Sequence, residues 1–137
     1  MSGLPRLVLD TNIVLDLFVF DDAPARALKG ELEAGAWDWV ATTPMRDELE
    51  RVLAYPQIAP RLKFYGLDPA QVLTRFDAHA RRVDVAAKAS VTCKDADDQK
   101  FIDLAVAHQG TLLSKDRAVT SMARRLRVFE VQVRSAL

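Results

Sequence analysis

Short apolar runs alternate with amphipathic stretches along the chain, a pattern that predicts strands separated by helices. The predicted strands cover Leu7–Leu9, Trp37–Thr42, Val83–Val85, Thr111–Ser114 and Val128–Val133. The predicted helices cover about 13–20, 22–35, 43–54, 61–65, 69–82, 96–109 and 116–126. Strands that alternate with helices in this way favour a parallel sheet with helices on both of its faces.

The length and composition are typical of one globular domain. The chain has 137 residues, of which 50% are hydrophobic and 28% are charged, and this composition argues against disorder. We therefore predict a single domain over residues 1–137. Its predicted fold is a three-layer α/β/α sandwich around a mainly parallel sheet of about four to five strands.

Several features predict a soluble, cytoplasmic protein without a membrane partner. No apolar run approaches the roughly 18 residues of a membrane span. The N-terminus lacks the apolar core of a signal peptide. Cys93 is the only cysteine, so no intramolecular disulfide can form and secretion is not indicated.

The charges balance overall but are unevenly distributed. The 19 basic and 19 acidic residues cancel, which excludes a strongly basic coat for nucleic acid. Residues 1–60 carry 5 basic and 10 acidic side chains, whereas residues 61–137 carry 14 basic and 9 acidic ones. The basic half is either a rim for an anionic ligand or the solvated face of a dipolar surface.

Two predicted strands lead into an aspartate, Asp10 and Asp116. In an open parallel sheet the carboxyl ends of the strands meet at one edge, where ligands bind. Two carboxylates at that edge repel each other, and a bound divalent cation would relieve the repulsion. The alternative is that each aspartate only caps the helix that follows it.

Helical phase separates the other acids. In the helix 43–54, Glu48 borders the apolar stripe, whereas Asp47 and Glu50 point away from it. Glu48 therefore either reaches inward or forms a salt bridge with Arg51 one turn away.

The helix 96–109 offers a similar choice. Asp98 continues its buried face into the first turn, Asp95 is placed to cap it, and Asp97 is ambiguous. Asp103 lies on the opposite face and is expected at the surface.

Four separated carboxylates thus occupy strand ends or inner helix edges: Asp10, Glu48, Asp98 and Asp116. Oxygen ligands of this kind suit Mg²⁺ or Mn²⁺. Zinc is disfavoured because Cys93, His79 and His108 lack the spacing of a zinc site.

With these motifs the sequence resembles the PIN domain, a family of metal-dependent ribonucleases. It is similar to the bacterial PIN proteins that act as toxins of toxin–antitoxin systems, and the resemblance covers about residues 7–117. The matching motifs are Val8-Leu9-Asp10-Thr11-Asn12, Arg46-Asp47-Glu48-Leu49-Glu50-Arg51-Val52-Leu53, Lys94-Asp95-Ala96-Asp97-Asp98-Gln99-Lys100-Phe101 and Thr111-Leu112-Leu113-Ser114-Lys115-Asp116. The sequence departs from the family pattern at Ala96, where relatives often have proline, and at Ser114-Lys115, where threonine and glycine are common.

The resemblance implies an endoribonuclease that binds one or two Mg²⁺ or Mn²⁺ ions. The family's acidic quartet falls on Asp10, Glu48, Asp98 and Asp116, and Asp10, Asp98 and Asp116 are the implied metal ligands. The implied supporting residues are Asn12, Ser114 and Asp95. A toxin of this family would act on RNA, pair with an antitoxin protein and form homodimers.

Basic residues near the last aspartate are candidates for contact with RNA phosphate. Lys115 and Arg117 are the stronger candidates, and Arg81 and Arg82 are weaker ones. The alternative is that these cations only solvate a helix face. For the whole chain, the alternative to a nuclease is a PIN-fold module that binds RNA or protein without significant turnover.

Overall fold

A five-stranded parallel sheet forms the centre of the structure, a computed structural model that describes residues 3–137. The strands are β1 (Arg6–Leu9), β2 (Asp38–Ala41), β3 (Arg81–Arg82), β4 (Thr111–Leu113) and β5 (Gln132–Arg134). Their order is β3-β2-β1-β4-β5, and each neighbouring pair is parallel. The predicted three-layer α/β/α fold is therefore confirmed.

Helices connect these strands and cover the sheet. They are α1 (Thr11–Leu15), α2 (Ala23–Glu33), α3 (Thr43–Leu53), α4 (Ala59–Phe64), α5 (Pro69–His79), α6 (Gln99–His108), α7 (Arg117–Thr120) and α8 (Ala123–Arg127). A π-helical turn at Asp16–Phe20 continues α1, and a 3₁₀ turn at Ala96–Asp98 precedes α6. Within residues 3–137, no helix is long and apolar enough to cross a membrane.

Aspartate side chains begin four of these helices. Asp10, Asp22, Asp68 and Asp116 each accept a hydrogen bond from a backbone N–H in the first turn of α1, α2, α5 and α7. Such caps satisfy amide groups that have no partner within the helix. Two of these caps, Asp10 and Asp116, are also the aspartates that the sequence places after strands.

The core lies on both faces of the central strands. Leu7, Val8 and Leu112 are fully buried in β1 and β4. Ile102 and Leu104 of α6 are equally buried, and α6 packs against both strands. This packing gives the ends of β1 and β4 a fixed position, which matters because the candidate site is built on those ends.

The third strand differs from its predicted position. It comprises Arg81–Arg82 rather than Val83–Val85, and the helix before it ends at His79 instead of near residue 82. Arg81 donates to both carboxylate oxygens of Asp38 at 3.0 and 2.8 Å. This ion pair with Asp38 of β2 fixes the register of β3. The alternating apolar pattern of residues 83–85 gives no indication of the pair.

The C-terminal part also departs from the predicted elements. The predicted helix 116–126 is divided into α7 and α8 at Ser121 and Met122. Thr120 and Ser121, which lie at this division, have lower helix propensity than alanine or leucine. The last strand begins at Gln132 rather than Val128, because Glu130 adopts a left-handed conformation with φ of 61° and forms a turn.

The end of α6 uses a different residue from the one predicted. Gln109, with φ of 50°, is the left-handed residue that ends the helix, although Gly110 was expected to stop it. Gly110 is instead required by a close approach, since a Cβ atom there would lie 2.9 Å from the carbonyl oxygen of Arg6.

Candidate metal centre

The carboxyl ends of the neighbouring strands β1 and β4 bring two aspartates to one edge of the sheet. Leu9 and Leu113 are register partners, and the amide of Asp10 donates to the carbonyl of Leu113 at 3.2 Å. Asp10 directly follows β1, and Asp116 follows β4 by three residues. The placement predicted from the sequence is therefore the placement observed.

Asp10 is buried and held from two sides. Its Oδ1 accepts a hydrogen bond from the backbone amide of Ile13 at 2.9 Å, and its Oδ2 accepts one from the hydroxyl of Ser114. Burial raises the pKa of Asp10 above its ordinary value, although these two hydrogen bonds lower it. Asp10 is thus an oriented carboxylate. The family resemblance implied that the Ser114 hydroxyl lies near Asp116; this hydroxyl accepts from the amide of Asp116 at 3.1 Å and also donates to Asp10.

Three carboxylates form a tight cluster beside Asp10. One oxygen each from Asp95, Asp98 and Asp116 lies within 4.8 Å of the others. Asp95 caps the 3₁₀ turn by accepting from the amide of Asp97 at 2.9 Å, which confirms its predicted capping position. The family resemblance implied Asp10, Asp98 and Asp116 as ligands, whereas the cluster of three within 4.8 Å among the described residues contains Asp95 in place of Asp10.

The most unusual atom of this cluster is Oδ2 of Asp98. It is buried and has no hydrogen-bond partner among residues 3–137. Burial, together with the neighbouring carboxylate of Asp116, raises the pKa of Asp98 to about 7. A buried carboxylate oxygen without a partner is costly, and oxygen-only ligands are those that Mg²⁺ and Mn²⁺ prefer. The residues present therefore fit a hard divalent cation.

Glu48 lies opposite this cluster and is held by two other residues. Its Oε1 accepts from the ammonium group of Lys100 at 2.7 Å, and its Oε2 accepts from the hydroxyl of Thr11. Glu48 is only 16% exposed in its side chain, which agrees with the inward direction predicted from helical phase. The ion pair with Arg51 that the sequence offered as an alternative is not the one formed.

Lys100 is the residue of the site that sequence reasoning missed. It lies at the start of α6, two residues after Asp98, and its ammonium group also contacts the carbonyl of Asp97. Its partner Glu48 is 52 positions away in the sequence. The local pattern of α6 could have shown its proximity to Asp98 but carries no signal for the ion pair with α3.

An open cavity of about 200 Å³ lies between these elements. Its lining residues are Asp10, Thr11, Asn12, Glu48, Val52, Tyr55, Asp97, Asp98 and Phe101. We call this cavity the acidic pocket. Asn12, a predicted supporting residue, is exposed where it lines the pocket.

The predicted phosphate-contacting cations have different surroundings. Lys115 forms an ion pair with Asp16, which raises the pKa of Lys115. Arg117 is exposed, and no carboxylate in the described part of the chain pairs with it. Arg81 pairs with Asp38. Arg82 pairs with Asp77.

Asp103 was expected at the surface, and this prediction is wrong. Its side chain is half-buried and accepts from the amide of Ala89 at 2.9 Å and from the side chain of Gln99 at 2.7 Å. Asp103 therefore fastens the loop before the 3₁₀ turn to α6. Sequence periodicity misses it because the loop covers the face of α6 that would otherwise be solvated.

The chain belongs to the PIN domain family. The family model of the PIN domain matches residues 6–118, which is most of the chain. The resemblance seen in the sequence motifs is thereby confirmed. No match was found among the curated proteins.

The fold is also similar to a solved structure. A chain of VapBC2 from Rickettsia felis, solved bound to a DNA fragment from the promoter of the complex, superimposes with a TM-score of 0.62. The sequences are 13% identical, and the match covers 94% of this chain and 97% of that chain. At this identity the likeness shows the fold.

Proposed function

We propose that this protein is an endoribonuclease that hydrolyses RNA phosphodiester bonds with Mg²⁺ or Mn²⁺ held by carboxylates in and beside the acidic pocket. The proposed ligands are Asp10, Asp98 and Asp116, with Asp95 as a supporting carboxylate. The observation that carries the proposal is the buried, unpartnered Oδ2 of Asp98 within the carboxylate cluster. Membership of the PIN domain family supports the same activity.

Each residue of the pocket has a distinct proposed task. A divalent cation, when bound, supplies Lewis-acid activation of water and neutralises charge on phosphate oxygens. Ser114 keeps Asp10 oriented, and Lys100 with Thr11 keeps the Glu48 carboxylate pointed into the pocket. Asn12 is an exposed amide at the pocket that is available to a substrate oxygen.

The biological setting we propose is a toxin–antitoxin pair in the cytoplasm. The support is the likeness of the fold to a chain of the VapBC2 complex. The proposed partners are then an antitoxin protein and a second copy of the chain, beside the RNA substrate. Of the two predicted phosphate contacts we favour Arg117, because Lys115 is already paired with Asp16.

The test compares cleavage of a mixed RNA panel by the wild type, Asp98→Asn and Asp47→Asn, each in EDTA, Mg²⁺ and Mn²⁺. Asp47 is a matched control because it is an exposed acid of α3 outside the pocket lining. We expect the wild type and Asp47→Asn to cleave only with metal. We expect the cleavage rate of Asp98→Asn to fall at least about 100-fold. Replacing a residue that only orients a metal ligand costs up to about 100-fold, and Asp98 is a proposed ligand itself.

Other outcomes of this cleavage assay would indicate a contaminating nuclease or a binding module. Equal cleavage by all three proteins, or cleavage in EDTA, would contradict the proposal and indicate a contaminating nuclease. Absence of cleavage together with absence of any metal-induced stabilisation would favour a PIN-fold binding module.

A further inference from the structure

One positive charge of the protein is fixed beside the acidic pocket. The ammonium group of Lys100 lies 2.7 Å from Oε1 of Glu48, and it also donates to the carbonyl oxygen of Asp97. The same ammonium group lies 4.9 Å from the centroid of the Phe101 ring, a distance at which an aromatic face attracts a cation. The Lys100 side chain is only 25% exposed. These contacts make Lys100 a fixed part of the site.

Both oxygens of the Glu48 carboxylate are engaged by the protein. Oε1 accepts from Lys100, and Oε2 accepts from the hydroxyl of Thr11. Asp98 lines the same pocket, but its buried Oδ2 has no hydrogen-bond partner among residues 3–137. Of these two acids, Glu48 alone forms an ion pair within the described part of the chain. Glu48 is therefore a compensated acid, and Asp98 is not.

The spacing of the carboxylates also separates Glu48 from the carboxylate cluster. Oxygens of Asp95, Asp98 and Asp116 lie within 4.8 Å of one another, and among the described residues Glu48 belongs to no such group of three. A cation held by the cluster is thus on the Asp98 side of the pocket. The charge of Lys100 is held at Glu48, across from it.

A second divalent cation beside Glu48 would meet this fixed charge. In nuclease sites with two metal ions, the ions lie roughly 3.5–4 Å apart, and each needs carboxylate ligands of its own or shared ones. Glu48 is the pocket acid that such an ion would use, and an ammonium group already lies 2.7 Å from it. Repulsion between the two cations is strong in this partly buried place, where solvent screens charges less than at the surface.

We propose that Lys100 takes the place of a second metal ion beside Glu48, so that the site holds a single divalent cation on the Asp98 side. The inference rests on the proposed function, because it takes the carboxylate cluster as the metal centre. It makes Lys100 the residue that sets the number of metal ions, and it acts through Glu48 as a positioning residue.

The test counts bound Mn²⁺ and requires no cleavage. The full chain is freed of metal with EDTA, dialysed and titrated with Mn²⁺, and the EPR signal of free Mn²⁺ gives the number of ions bound per chain. The variants are Lys100→Gln, which can still donate to Glu48 but carries no charge, and Lys100→Arg, which keeps the charge. Lys29→Met is the control, because Lys29 is exposed on α2 and outside the pocket lining. Thermal melts check that each variant is folded, and Lys100→Met is the second uncharged variant.

We expect one Mn²⁺ per chain in the wild type, Lys100→Arg and Lys29→Met. Lys100→Gln and Lys100→Met should bind a second Mn²⁺ at concentrations where the wild type still binds one. Combining Lys100→Gln with Glu48→Gln removes both charges, so this double variant should return to one Mn²⁺ per chain. Its result identifies Glu48 as the ligand of the added ion.

Several results would overturn the inference. Two Mn²⁺ ions in the wild type or in Lys100→Arg, or one in both folded uncharged variants, would show that Lys100 does not set the number of ions. A second ion that persists in the double variant would place the added site away from Glu48. These results would leave the proposed metal centre intact, whereas a wild type that binds no Mn²⁺ would overturn the centre together with the inference.

Discussion

Individual carboxylates of the acidic pocket differ because of what each one touches. Glu48 is paired with the ammonium group of Lys100, so its negative charge is already compensated. Among residues 3–137, no cation pairs with Asp98, which instead lies against Asp116, where burial and repulsion both favour its protonated form. At the scale of the residue, Asp98 is therefore the acid whose charge depends most on an added cation.

The raised pKa of Asp98 predicts a pH dependence of stability in the absence of metal. Its pKa rises from 3.8 to about 7 on folding, so the folded state holds the proton more tightly. The resulting stabilisation is fully present below about pH 4 and is lost as the pH rises through about 7. In EDTA, we expect Asp98→Asn to gain a few degrees in Tm over the wild type near neutral pH and little near pH 4.

Thermal melts in EDTA from about pH 4 to 8 measure this difference. Asp47→Asn, an exposed acid, should follow the wild type at each pH. A Tm difference that does not change with pH would contradict the assigned protonation of Asp98.

At the scale of elements, much of the fold could be predicted from local pattern. The buried strands β1 and β4 are short apolar runs, and the helix starts at Asp22 and Asp68 follow from capping aspartates and nearby prolines. Helix α3 begins at Thr43 beside a proline, but its N-cap is Thr42 and no side chain caps it. The exact place of β3 could not be predicted, because it depends on ion pairs with residues distant in the sequence. Arg81 is 43 positions from Asp38, its partner in the fold.

Asp38 of β2 forms ion pairs with residues of β1 and β3, and these pairs give a prediction at the scale of elements. It is 8% exposed and contacts Arg6 of β1 at 3.2 Å and Arg81 of β3 at 2.8 Å. We expect Asp38→Ala to lower the free energy of unfolding by about 2–3 kcal/mol, less than a fully buried pair because both arginines are partly exposed. Urea denaturation measures the loss.

The control for this change is Asp84→Ala, which removes an exposed acid from the loop after β3 and should cost less than about 0.5 kcal/mol. Hydrogen bonding with Arg81 holds the pKa of Asp38 below its usual value, so its contribution is present above about pH 4 and lost at lower pH. Equal losses in the free energy of unfolding of the two variants would show that the ion pairs of Asp38 do not stabilise the sheet.

The whole molecule explains which parts of the candidate site the sequence could indicate. Strand ends and helical phase pointed to Asp10, Glu48, Asp98 and Asp116, because topology brings the carboxyl ends of parallel strands together. Topology does not specify which carboxylates approach most closely, and the trio with Asp95 depends on the 3₁₀ turn. The ion pair of Lys100 with Glu48 likewise depends on tertiary packing.

Because the carboxylates come from segments far apart in the sequence, a cation bound among them should stabilise the whole fold. Asp10 follows β1, Asp98 ends the 3₁₀ turn and Asp116 follows β4. At 100 times Kd, a ligand of the folded state adds about 2.7 kcal/mol, which corresponds to a rise in Tm of about 5–10 °C for a chain of this size. We expect Mn²⁺ to produce this rise in the wild type and in Asp47→Asn, and to produce little of it in Asp98→Asn. The same rise in Asp98→Asn would show that metal binds elsewhere and would remove the acidic pocket as the proposed metal centre.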